Sequence, residues 1–72
     1  MRTEVKAPMG GKVISVLVRV GDQVEENDEI AVIEAMKMEL PVVSTTTGRV
    51  IELCIASGEA VEAEAVLVVI QI

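Results

Sequence analysis

The stretch Glu29-Ile30-Ala31-Val32-Ile33-Glu34-Ala35-Met36-Lys37-Met38-Glu39-Leu40 decides the fold. Its alanines, glutamates, methionines and leucine are good helix formers, and Pro41 follows as a stop. Taken by itself it reads as a short helix. The rest of the chain reads it differently, because the sequence repeats. A shift of 37 positions lays Ile30–Ile33 on Leu67–Ile70, inside the run Val66-Leu67-Val68-Val69-Ile70. β-branched side chains of that kind suit a pleated, half-buried surface. Equivalent segments of a repeat take the same form, so tertiary context overrides propensity and a strand is predicted.

The repeat extends outward in both directions. Gly11-Lys12-Val13-Ile14 falls on Gly48-Arg49-Val50-Ile51, and Gly21-Asp22-Gln23-Val24-Glu25 on Gly58-Glu59-Ala60-Val61-Glu62. Of the 23 pairs from Gly11 to Ile33, eight are identical. Within each copy the apolar residues alternate. Ile14, Val16, Val18 and Val20 share one face, with Ser15, Leu17 and Arg19 on the other. Ile51, Leu53 and Ile55 stand against Glu52, Cys54 and Ala56. Period-two alternation predicts strands with one buried side. Gly21-Asp22 and Gly58-Glu59 read as tight turns. Short strands are expected at Val24-Glu25 and Val61-Glu62, and longer ones at Ile30–Glu34 and Val66–Gln71.

An all-β fold follows. The 72 residues make one domain, 1–72, with repeat halves of about 5–36 and 42–72. Neither half can bury a face alone, so the two are expected to stack face to face. The product is a flattened β-barrel or sandwich of two four-stranded antiparallel sheets with an internal pseudo-two-fold axis, a barrel-sandwich hybrid. Lys37 lies in the turn that joins the halves. The repeat equivalent of that turn falls at the chain ends, so Lys37 and the termini are expected at opposite ends of the molecule.

Composition narrows the function. Phe, Tyr and Trp are absent and the net charge is −6. Single-stranded nucleic acid is gripped by stacking in a basic groove, and anionic membranes repel an acidic surface; neither is expected as a partner. No apolar run approaches the roughly 18 residues of a spanning helix. The N-terminus has no signal-peptide core, so a cytoplasmic location is expected, or a mitochondrial matrix if the domain belongs to a larger eukaryotic chain. One cysteine and no histidine exclude an internal disulfide and the usual zinc sets. No nucleophile–base pair or metal cluster stands out, so neither catalytic residues nor a metal are expected.

The motif Ala35-Met36-Lys37-Met38, with lysine third, matches the attachment tetrapeptide of biotinyl domains. The resemblance runs along the whole chain. Ala7-Pro8-Met9-Gly10-Gly11 is similar to the family's opening segment, Gly21-Asp22 to its first turn, and Thr47-Gly48-Arg49-Val50 to the glycine that opens the second half. One departure is visible. Family members commonly place glycine in the turn before the strand that leads to the lysine. This chain has Asn27-Asp28 there, and Glu64-Ala65 at the repeat mate. Asparagine tolerates a left-handed backbone better than glutamate does.

The resemblance implies a biotin carboxyl carrier, a non-catalytic part of a biotin-dependent carboxylase, decarboxylase or transcarboxylase. A biotin protein ligase would join biotin to Lys37 through an acyl-adenylate. A lysine amine is protonated at neutral pH and must be deprotonated to attack, so the ligase supplies the activation. The cofactor would then carry a carboxyl group from a biotin carboxylase (or decarboxylase) site to a carboxyltransferase site. Ala35, Met36 and Met38 would flank the attachment point, and Glu34 and Glu39 would take part in partner recognition. Two other readings share the fold. Lipoyl carriers usually place an acidic residue before the lysine and a small one after it, which Met36 and Met38 argue against. An unmodified interaction module, like the similar barrel of some transport adaptors, has no use for Met36-Lys37-Met38. Gly21, Gly48 and Gly58 are expected to be structural, and Cys54 to be inert strand packing.

Overall fold

The computed structural model describes residues 1–72. Eight strands and no helix make up the fold: β1 (Arg2–Lys6), β2 (Gly11–Val16), β3 (Gln23–Val24), β4 (Glu29–Ala35), β5 (Met38–Val43), β6 (Gly48–Leu53), β7 (Ala60–Val61) and β8 (Val66–Gln71). The helix-forming stretch is the β4–β5 hairpin. Pro41 sits within β5, which is an edge strand and so tolerates a missing N–H.

Two four-stranded sheets pack against each other, in the orders β1-β8-β6-β3 and β5-β4-β2-β7, with every pairing antiparallel. The repeat maps one sheet onto the other strand by strand. The halves do not stack as separate layers, however. Each sheet draws strands from both copies: β3 of the first half pairs with β6 of the second, and β7 of the second with β2 of the first. The copies interlock, so neither can bury its face without the other.

The core is aliphatic and obeys the repeat. Ile30, Ile33 and Val13 are fully buried, as are their mates Leu67, Ile70 and Val50. Each such side chain contributes about 1.5–3 kcal/mol of burial. The mates also share irregularities. Pairing skips Ile14 between Val13 and Ser15, and Ile51 between Val50 and Glu52. It skips Ile30 against β5 and Leu67 against β1. These are β-bulges at equivalent places, which bend strongly twisted strands around a small core.

The bulge at Ile14 corrects the expected face. Val13 is the buried residue, while Ile14 is 38% exposed and Val20, beyond the end of β2, is 60% exposed; Val16 and Val18 face the core as expected, with Leu17 and Arg19 outward. The second half has the same bulge at Ile51 but keeps the expected phase throughout, with Ile51 and Leu53 half-buried, Ile55 buried, and Glu52, Cys54 and Ala56 exposed. Cys54 is therefore not core packing. The short strands begin one residue earlier than expected, at Gln23 and Ala60.

The turns repeat as well. Gly21 (φ 100°) and Gly58 (φ 91°) occupy the left-handed third position of equivalent turns. In both, a carboxylate closes the loop: Asp22 accepts from the Arg19 N–H and Glu59 from the Ala56 N–H.

Candidate functional site

The end of β4 and the start of β5 set up the site. Register pairs Glu34 with Glu39 and Ala35 with Met38, leaving Met36 and Lys37 as a two-residue loop. Both have positive φ, 52° and 63°. That is the geometry of a type I′ turn, whose twist matches the strands it joins. Asn-Gly is the usual occupant. For ordinary L-residues the left-handed region costs about 1–2 kcal/mol each, so the surrounding structure must hold this turn in place.

The base of the hairpin does the holding. Ala35 is 6% exposed and so braces the turn from inside. Gly11 of β2 lies against it. A Cβ on Gly11 would run into the Glu34 carbonyl and crowd the Ala35 side chain. Gly11 is thus a positioning residue that sequence reasoning did not single out. Its identity with Gly48, which faces the Gln71 carbonyl in the same way, was the available signal.

The remaining candidates all reach solvent. Lys37 is exposed at the tip, and Met36 and Met38 on either side are 82% and 62% exposed. Glu34 and Glu39 are exposed and directly opposed one pair behind the turn, with Lys12 next to Glu34 in register. Like charges in that position repel each other, so folding alone does not favour the pair.

Register also fixes where Lys37 points relative to the chain ends. Ile72 donates its N–H to the Met1 carbonyl (2.9 Å), so the termini meet. Gly48 and Val24 lie at that end, beside Gln71 and across from each other. The Glu25–Asp28 turn follows, tied to Ser44 by the Asn27 and Ser44 N–H groups. From there β4 runs its full length away to the hairpin tip. The opposite-ends expectation therefore holds, along a molecule measuring 33 × 18 × 18 Å.

Cys54 is the other group with potential chemistry. It is exposed, and its thiol is held above the ordinary range, first by partial desolvation and then by the Glu52 and Glu4 carboxylates. Little thiolate forms at neutral pH, which leaves it a poor nucleophile.

A family model described as "Biotin-requiring enzyme" matches residues 3–70. This chain belongs to the biotinyl domain family. A biotinylated protein TB7.3 homolog of Mycobacterium leprae is 33% identical over 70 residues, covering 97% of this domain and 99% of that protein. The biotin carboxyl carrier protein of Streptococcus mutans is 46% identical over 57 residues, 79% of this domain and 44% of that chain. The biotinyl domain thus spans less than half of the streptococcal relative but nearly all of the mycobacterial one. Among solved structures, the urea carboxylase of Kluyveromyces lactis superposes with a TM-score of 0.92 at 32% identity, covering 99% of this domain and 6% of that chain. A biotin carboxyl carrier domain of the kind found in carboxylases is the common denominator.

Proposed function

We propose that this domain carries biotin in amide linkage on Lys37 and moves a carboxyl group between two active sites that it does not itself contain. The observation that carries this reading is the placement of the motif lysine. It stands exposed at the tip of a two-residue turn, at the end of the domain farthest from the termini.

In the proposed attachment, Nζ of Lys37 gives up a proton and attacks the carbonyl carbon of biotinyl-adenylate. A C–N bond forms, the C–O bond to phosphate breaks, and adenylate leaves. Biotin protein ligase supplies the activated acyl group. The attached biotin offers a ureido nitrogen that bears the carboxyl group. Met36 and Met38 supply soft apolar contacts beside the arm. Glu34 and Glu39 give the hairpin a local negative charge that a partner can read. Ala35 and Gly11 keep the turn in register. A biotin carboxylase (or decarboxylase) and a carboxyltransferase are the partners, and tethering raises the local concentration of the arm at both. The domain itself catalyses nothing.

Intact-protein mass spectrometry after reaction with a biotin ligase tests the reading. Wild type should gain a single biotinyl increment and Lys37→Arg none, with both melting cooperatively at the same temperature. A folded wild type that stays unmodified by an active ligase refutes it. A lipoyl increment after incubation with a lipoate ligase would replace it.

A further inference from the structure

The duplication supplies an internal control for the outer surfaces. On the outer face of the sheet that holds the hairpin, Ser15, Val32 and Pro41 form one cross-strand row. Residues paired in this way share a face. Val43 follows Pro41 on the same side of β5, 37% exposed. Ile14 at the bulge is 38% exposed, and Leu17 just past β2 is 50% exposed. Together Ile14, Leu17, Val32, Pro41 and Val43 make an aliphatic band.

The equivalent face of the other sheet is built differently. Pro41 and Val43 correspond to Glu4 and Lys6, Leu17 to Cys54, and Ser15 to Glu52. Val69, the mate of Val32, is flanked by Glu4 and Glu52 and is only 6% exposed. Long charged side chains lay their stems over apolar surface. In place of those glutamates the hairpin sheet has the short Ser15 and Pro41, and Val32 is left half-covered. The fold accepts charge at these positions, so folding does not explain the band.

Its charged border is equally one-sided. Glu29 lies at one end of the band, and Glu34 and Glu39 at the other with Lys12 beside Glu34. The mates of the three glutamates on the opposite face are Val66, Gln71 and Arg2. Acid is therefore in excess at the two ends of the aliphatic band only on the hairpin's sheet. A second copy of this chain, with net charge −6, would bring acid against acid. The complementary occupant is a protein surface with an aliphatic centre and a rim of arginine or lysine.

We propose that this outer face of β5-β4-β2 is the docking surface for the biotin carboxylase that loads the arm. The proposal rests on Lys37 being the attachment point. The band extends back from Glu34 and Glu39 along β4, a strand of seven residues rising about 3.3 Å each. A ligase acting on the bare amine must enclose the tip. An enzyme acting on a group at the end of an extended arm can grip the domain behind it. Pro41 also removes an edge N–H, which favours contact through the face over strand addition at β5.

The test borrows the residues that the repeat already accepts. In Pro41→Glu/Val43→Lys the band carries the charges of the opposite face, and Leu17→Ser, close in size to the mate Cys54, serves as a milder single variant. Glu4→Gln/Lys6→Gln on the opposite face is the control. With biotinylated protein and a biotin carboxylase, the band variants should raise KM about tenfold with kcat unchanged. The control variant should match wild type, and carboxylation of free biotin should not change. Added salt should raise the wild-type KM by screening the acidic border. Calorimetric binding of unmodified Lys37→Arg protein to the same enzyme should weaken by the same factor when the band is altered. That measurement needs no biotin, so it reads docking even if attachment at Lys37 fails. Unchanged KM and binding in folded band variants overturn the proposal. A loss confined to the rate of ligase modification, or to a carboxyltransferase acting on the loaded arm, overturns it too, by assigning the face to that enzyme.

Discussion

The two ends of this molecule are built from the same turn, and one end is better made. At the terminal end, the Glu25–Asp28 turn puts Asn27 in the left-handed region at φ 78°. The Asp28 carboxylate accepts from the Glu25 N–H, and the Thr47 hydroxyl accepts from the Glu26 N–H. At the Lys37 end, the equivalent Glu62–Ala65 turn bends the same way through Glu64 at φ 71°. Ala65 has no carboxylate to return, and Gly10 stands where Thr47 would be. Met36 and Lys37 add two more left-handed residues at that end. Strain thus collects around the Lys37 hairpin, while the end that meets the termini is braced. Duplication gave both ends one backbone path, and divergence spent its stabilising side chains away from the lysine. Residues held in costly conformations commonly mark functional sites.

Substitution at the two clamping glycines should produce the largest effect. Gly11→Ala and Gly48→Ala each drive a methyl into a strand carbonyl, and Gly48→Ala also meets the Ile70 side chain. Overpacking of this kind costs about 1–3 kcal/mol, which urea melts would register in both. Only Gly11→Ala should also slow modification of Lys37, because only it displaces the hairpin base. Equal slowing in both variants would mean that global stability, not hairpin register, controls the site.

Smaller effects are expected at the left-handed turn residues. Glu64→Gly should stabilise by about 0.5–1 kcal/mol net, relief of strain outweighing the extra freedom of glycine in the unfolded chain. Asn27→Gly should change stability by less than about 0.5 kcal/mol, since asparagine already tolerates the geometry. A larger gain at Asn27 than at Glu64 would reverse the ranking of the two ends.

The finest comparison exchanges the carboxylate. Asp28→Ala should lose about 0.5–1 kcal/mol with its hydrogen bond, and Ala65→Asp should recover part of that at the other end. Hydrogen exchange at the Glu25 and Glu62 N–H groups would report each change locally. If Ala65→Asp leaves the Glu62 N–H unprotected, the two turns are less alike than their backbones suggest.

Much of this was legible in the chain. The 37-residue offset turned a helix-prone stretch into a strand and set Lys37 apart from the termini. Alternation worked in the second half because Glu52 and Cys54 interrupt the apolar residues and mark the outer face. It failed at Ile14, where apolar side chains occupy both faces and carry no phase. A bulge is a property of two strands in register, and a single strand's sequence does not record it. The interlocking of the halves was hidden for a related reason. Two-residue strands such as β3 and β7 are too short to show a pattern, yet their partners decide which sheet each half joins. In the hairpin, the motif pointed to Lys37 through resemblance, whereas the role of Gly11 emerged only with the Glu34 carbonyl beside it.

The meeting of the termini has a mechanical consequence. A pull between Met1 and Ile72 loads the β1–β8 ladder at its open end and unzips it one bond at a time, since those bonds lie across the strands. A pull between Lys37 and either terminus runs along the strands and must shear many bonds together. A force applied at Lys37 against either terminus therefore loads this domain in its stiff direction, and the soft direction is strained only if Met1 and Ile72 are drawn apart.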